Sequence, residues 1–163
     1  MSVSLRHAAT TVALALLVSC ATASHGRTSD ILGIRLGMTH EAVRSVLAST
    51  GTFERQERKR QEIWSVRDPR FNSLILGFDE EGKVRFVTAV ADPAGTPVRY
   101  ADVGDLAEAT HREAGLNHTY TWGGGEHQLI AIGSADRVQY LSLKGQGGDK
   151  EEEEEEEREH RRH

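Results

Sequence analysis

Length, charge and cysteine content limit what this chain can be. Its 163 residues carry a formal net charge of −5. Residues 150–163, with 4 basic and 8 acidic side chains, account for most of this charge. The remaining body is nearly neutral and is long enough for one small domain. Because the single cysteine, Cys20, lies near the N-terminus, we expect the body to contain no disulfide, cysteine metal site or cysteine nucleophile.

The first 19 residues have the pattern of an export signal. Arg6 and His7 precede an apolar run from Ala8 to Val18, which is too short to span a bilayer, since a span needs about 20 residues. The run ends in Leu17-Val18-Ser19-Cys20, an order that resembles the bacterial lipoprotein signal. We therefore expect cleavage before Cys20 and lipid attachment to it; an ordinary signal cut after Ala21-Thr22-Ala23 is the open alternative.

The lipoprotein pattern also implies a location. It implies three acyl chains on Cys20, of the palmitate type, and more than one chain is enough for stable anchoring. Ala21 stands where lipoproteins of the inner membrane typically have Asp, so the expected location is the outer membrane, facing the periplasm. Residues 20–32 are mostly small and polar and are interpreted as a flexible tether.

The stretch from Leu36 to Gly51 predicts a capped helix. Thr39 is a good N-cap, and Val43 and Leu47 belong to an apolar stripe at helical spacing. Gly51 is expected to end the helix in the left-handed conformation.

The charged segment Glu54–Glu62 leaves two interpretations open, a polar helical turn or the solvent-facing start of the next strand. Its basic residues are interleaved with Glu, and an exported protein rarely meets nucleic acid, so we expect no nucleic-acid partner.

Alternating apolar residues then predict strands. Ile63–Val66 is an aromatic strand, and the alternation over Leu74–Phe78 begins a β-hairpin. Gly82 takes the left-handed position of its turn, and the return strand runs from Val84 to Val90.

The second half of the chain follows the same order. Asp102 caps a predicted helix that stops at Gly115, and His118–Trp122 is a second aromatic strand. Leu129–Ile132 and Val138–Leu143 make a second hairpin.

Together these elements predict an α+β domain at residues 33–144, with helices packed on an antiparallel sheet. The halves, residues 33–92 and 99–144, would repeat one helix–strand–hairpin unit; few residues are identical, so the repeat rests on pattern order alone. Residues 145–163 contain an unbroken run of seven Glu, whose repulsion predicts a disordered acidic tail.

Two motifs, with the leader that ends in Cys20, carry a resemblance to a known family. Leu36-Gly37-Met38-Thr39 and Leu76-Gly77-Phe78-Asp79-Glu80-Glu81-Gly82-Lys83-Val84 resemble the BamE-like (SmpA/OmlA) family of small outer-membrane lipoproteins. The resemblance covers Cys20 to Ala91 and implies helices packed on one antiparallel sheet. A doubled version of that fold resembles the β-lactamase inhibitor protein, which binds another protein across its sheet.

The sequence predicts no catalytic residue, metal site or cofactor. Four histidines of the body show none of the helical zinc-binding spacings: His40, His111, His118 and His127. Three aromatic residues are the candidate partner-binding residues, because aromatic anchors dominate interfaces: Trp64, Tyr120 and Trp122. The alternative is that these three rings pack in the core.

The expected function is that of a non-catalytic, lipid-anchored periplasmic lipoprotein that binds an envelope protein at the outer membrane through its sheet. The rival hypothesis is a secreted or periplasmic inhibitor-like or ligand-binding module with no role in envelope assembly. An enzyme is the third class, and a pocket that holds a histidine beside a carboxylate would favour it.

Overall fold

One antiparallel sheet of eight strands forms the centre of the molecule in the computed structural model, which describes residues 29–58 and 60–145. The strands are β1 (Gly51–Arg58), β2 (Gln61–Val66), β3 (Phe71–Phe78), β4 (Val84–Ala91), β5 (Thr110–Ala114), β6 (Asn117–Gly124), β7 (His127–Ser134) and β8 (Arg137–Gly145). Their order across the sheet is β1-β2-β3-β4-β8-β7-β6-β5. Each half of the chain thus forms a four-stranded meander, and the two meanders join where β4 pairs with β8.

A thin layer of short helices covers one face of the sheet. It consists of α1 (His40–Leu47), α2 (Tyr100–Val103) and a 3-10 turn at Leu106–Glu108. The helix α1 buries Val43 and Leu47, and α2 buries Tyr100.

Strand register places the core under this layer. Residues paired between neighbouring strands share a face of the sheet. One continuous row of paired residues crosses it: Trp64, Leu74, Ala89, Leu141, Ala131 and Tyr120. All of these are buried except Tyr120, which is half-buried, so this is the core face.

Several local predictions are confirmed. The hydroxyl of Thr39 caps α1 by accepting the amide N–H of Ala42 at 3.3 Å. The hairpin of β3 and β4 turns at Gly82, whose φ of 74° is left-handed. Strands β2, β6, β7 and β8 lie where the alternating patterns predicted them.

The predicted fold class, α+β with helices packed on an antiparallel sheet, is wrong. The two α-helices have 8 and 4 residues, whereas the sheet has eight strands, so the molecule is mainly β. The predicted helix from Asp102 to Gly115 is absent; that stretch holds the end of α2, the 3-10 turn and strand β5. Gly51 does not end a helix in the left-handed conformation but begins β1, and most of the charged segment forms this edge strand.

The resemblance to the BamE-like (SmpA/OmlA) family, and to a doubled version of that fold, is wrong for the same reason. Its motifs exist as local structures, namely the cap of α1 and the turn of the β3–β4 hairpin. A capped helix start and a tight hairpin occur in many folds, and here they belong to a broad sheet with few helices.

Some predictions lie outside the described residues. These are the leader, Cys20, the tether up to residue 28, and the tail from residue 146. The boundaries of the two suggested repeats stay a prediction. In the part of the chain that the structure describes, no helix is long and apolar enough to cross a membrane.

Candidate functional site

The face of the sheet opposite the core carries none of the described helices. One row of paired residues on this face is Ile63, Ile75, Thr88, Ser142, Ile130 and Thr121. The next row is Ser73, Val90, Tyr140, Ile132, Thr119 and Arg112. We call the surface formed by these two rows, together with Phe86 and Lys144, the open face.

The open face combines apolar, aromatic and hydroxyl groups. Tyr140 is 43% exposed and its cross-strand neighbour Ile132 is 37% exposed. At the centre, the hydroxyls of Thr88 and Ser142 lie 2.8 Å apart and hydrogen-bond to each other. This pairing satisfies the central polar groups and leaves the surrounding aliphatic and aromatic side chains available for contact.

The charges on the open face are of one sign. Lys144 pairs with Phe86, and Arg112 lies at the β5 edge of the second row. Among the paired positions of β2 to β8 that share this face, none is Asp or Glu. From β2 to β8 the face is therefore apolar with basic residues at its border, whereas at the β1 edge Arg55, which pairs with Ile63, forms an ion pair of 3.2 Å with Glu57.

The three predicted partner-binding residues lie on the core face instead. Trp64 and Trp122 are each 6% exposed, and Tyr120 is half-buried with its ring 4.5 Å from that of Tyr100. This placement agrees with the packing alternative, and none of the three rings reaches the open face.

A pocket of about 560 Å³ beside α1 holds a histidine next to a carboxylate. The Nδ1 atom of His40 lies 3.2 Å from one oxygen of Glu62, and the other oxygen accepts the indole N–H of Trp64 at 2.9 Å. The His40 ring stacks on Phe78 at 3.7 Å. Among the described residues that line this pocket there is no Ser, Thr or Cys for such a pair to activate.

A cleft of about 660 Å³ lies between the N-terminal segment, α2 and the adjoining ends of β6 and β7. The indole of Trp122 lines it and donates a hydrogen bond of 2.8 Å to the carbonyl oxygen of Asp105. Four acidic and two basic side chains also line the cleft: Asp102, Asp105, Glu108, Glu126, Arg35 and His127. Its volume is that of a small-molecule site, and its excess of carboxylates suits a cationic ligand.

Two histidines and a glutamate meet on the β5–β6 hairpin. Glu113 pairs directly with His118, and His111 lies two residues before Glu113 on the same face. The Nε2 of His111 and the Nδ1 of His118 are 3.2 Å apart, and one ligand atom from each of the three residues lies within 4.8 Å of the others. The ring of Tyr120 stacks on His111 at 4.3 Å.

Sequence analysis missed this group because it placed His111 and Glu113 in a helix. A hairpin turning at Gly115 would have brought both opposite the following strand, where His118 lies. The pattern H-x-E, a turn, then H is the cue that a strand interpretation would have revealed.

Tyr100 is hydrogen-bonded to the same hairpin. Its hydroxyl donates to the carbonyl oxygen of His118 at 3.3 Å. Burial raises the pKa of the Tyr100 hydroxyl.

Comparison with known proteins assigns no function. No family model and no curated protein matches the chain. Among solved structures, the chain is similar to a DUF4309 family protein (YjgB) from Bacillus subtilis subsp. subtilis str. 168. The TM-score is 0.49 and the sequence identity is 11%, over 70% of this chain and 83% of that chain. A likeness at this level says nothing about activity.

Proposed function

We propose that the protein is a lipid-anchored, non-catalytic binding module of the outer membrane, and that an exported protein partner docks on its open face. The observation that carries the proposal is the open face itself, an apolar sheet surface that no described helix covers. Contiguous apolar surface with exposed tyrosine is typical of protein interaction sites.

The charges of the open face define the partner further. Arg112 and Lys144 border an apolar centre that has no acidic side chain at its paired positions. A partner that presents an apolar patch bordered by Asp or Glu is complementary to it, because opposite charges at the rim steer association, whereas a partner with a basic rim would be repelled.

A site-specific photo-crosslinker tests the docking surface. Tyr140 on the open face and Phe53, which pairs with Trp64 on the core face, are aromatic residues of similar exposure, 43% and 47%. Benzoylphenylalanine replaces each in turn, and the chain is expressed with its own leader in a Gram-negative host. We expect a discrete adduct with one exported protein from position 140 and not from position 53.

The captured protein is then purified and its affinity measured. Tyr140→Ala should weaken its binding by about tenfold or more, as truncation of a central aromatic residue typically does, while Phe53→Ala leaves it unchanged. Equal crosslinking from both positions, or equal affinity of the two variants, would reject the open face as the docking site.

The cleft beside Trp122 favours a second candidate, a ligand-binding module. Its volume of about 660 Å³ and its acidic lining suit a small cationic molecule. This alternative needs no protein partner, and binding in the cleft would change the fluorescence of Trp122.

A further inference from the structure

We propose that His111, Glu113 and His118 form a binding site for a divalent transition-metal ion, with Zn²⁺ as the natural occupant. The site is independent of the open face, because all three residues lie on the other side of the sheet. It adds a metal-dependent property to the binding module.

The donor set is one that zinc uses. Two imidazole nitrogens and one carboxylate are the protein ligands of a common class of zinc site. With Zn–N bonds of about 2.0–2.1 Å, a tetrahedral ion holds two nitrogens about 3.3 Å apart. The Nε2 of His111 and the Nδ1 of His118 are 3.2 Å apart, which is close to that spacing; in the structure this contact is a hydrogen bond between the two rings, which a bound ion would replace.

The β5–β6 ladder holds the three residues in place. Glu113 and His118 are directly paired, so their Cβ atoms are about 4.5–5.5 Å apart. Stacking of Tyr120 on His111, and the hydrogen bond from Tyr100 to the backbone of His118, restrain the two histidines. The exposed side chain of Glu113 already has a ligand atom within 4.8 Å of the other two.

Three ligands on an exposed hairpin leave the fourth position to water. Imidazole donors favour Zn²⁺, Cu²⁺ or Ni²⁺ over Mg²⁺ and Ca²⁺, which prefer sites made of oxygen atoms alone. The ion would also join the edge strand β5 to β6 through side chains. Metal binding should therefore stabilise the fold by an amount that grows with the logarithm of the ion concentration above the Kd.

Calorimetric titration of the full chain with Zn²⁺ tests the site, with Co²⁺ absorption as a probe of coordination geometry. We expect one equivalent of Zn²⁺ to bind, a tetrahedral Co²⁺ spectrum, and no competition from Mg²⁺. His111→Ala and Glu113→Gln should each weaken binding at least about tenfold, since even the loss of outer-shell partners costs that much.

Matched controls separate this site from other ligands in the chain. Glu54→Gln changes an exposed glutamate on the opposite edge strand, and the pair His160→Ala and His163→Ala removes the histidines of the tail. All three control substitutions should leave the affinity unchanged, with circular dichroism showing that every variant is folded. Absence of Zn²⁺ binding, or binding that only the tail variant weakens, would overturn the proposal.

Discussion

Glu62 is the one charged residue that is buried among those the structure describes, at 7% exposed. A buried carboxylate is costly unless its oxygens are satisfied. Here one oxygen accepts the Trp64 indole N–H and the other faces His40, with an Arg44 nitrogen 3.9 Å away. The residue therefore organises the packing of β2 against α1.

Replacing Glu62 with Ala should destabilise the protein. The substitution leaves the buried indole N–H of Trp64 without its acceptor, and an unsatisfied buried donor costs about 1–3 kcal/mol. Urea denaturation measures the loss as a lower midpoint. Glu80→Ala is the control, because the Glu80 side chain is 83% exposed and surface changes are usually within about 0.5 kcal/mol. Equal midpoints for the two variants would contradict the assigned role of Glu62.

Individual candidate residues could be chosen from the sequence, but their burial and the face of the sheet on which they lie could not be predicted. Trp64 and Trp122 were predicted as partner-binding residues with core packing as the alternative, and only strand pairing shows that both rings lie on the core face. The burial of Glu62 could not be predicted, because the residue lies in a charged segment of the sequence. Its burial depends on the packing of α1 over β2, a contact that no local pattern encodes.

Elements with strong local determinants were predictable. The cap at Thr39 and the left-handed Gly82 each determine their own turn, so α1 and the β3–β4 hairpin could be located. The edge strand β5 was missed because all its residues are exposed, which leaves no apolar alternation to detect. Asp102 and Asp105 do cap helical turns, but each turn ends within four residues. The histidine–glutamate group was missed with the strand that carries it.

The bulge in the β7–β8 hairpin allows a prediction about the stability of a glycine variant. Strand register shifts between Ile132 and Gly133, and a Cβ atom at Gly133 would collide with the carbonyl oxygen of Arg137 and the amide nitrogen of Gln139. Gly133→Ala should therefore destabilise the protein by about 1–3 kcal/mol, since the backbone must move.

Gly124→Ala is the matched control, because a Cβ atom there has no neighbour within 4 Å. Denaturant unfolding of both variants measures the difference. If Gly133→Ala were as stable as Gly124→Ala, the close approach of the two strands at the bulge would be refuted.

The architecture of the whole molecule could not be predicted from the sequence. Elements with strong caps, turns or apolar alternation follow from local patterns, whereas the layers depend on which strands pair. The joining of β4 to β8, which makes one broad sheet, has no local signature. The two BamE-like motifs led to the wrong fold for the same reason, because they specify a helix cap and a hairpin turn and not the order of the strands in the sheet.

The proposed anchor is tested on the whole protein. Cys20→Ser should abolish acylation, because no other thiol exists to carry lipid, and should shift the protein from the membrane to the soluble fraction. Intact mass and membrane fractionation of wild type and variant measure both effects. A wild-type product that is soluble and begins after Ala23 would instead favour the ordinary cleaved signal.

The position of β8 also controls when the fold can be completed. Thr88 and Ser142 are neighbours at the middle of the sheet although 54 residues separate them, because the last strand inserts between β4 and β7. Pairing over such separations is slow, since the entropy of loop closure must be lost before any contact forms. Until residues 137–145 pair, β4 and β7 each present an unpaired central strand edge. Chaperones that shield strand edges should therefore bind the unfolded exported chain and release it when β8 pairs.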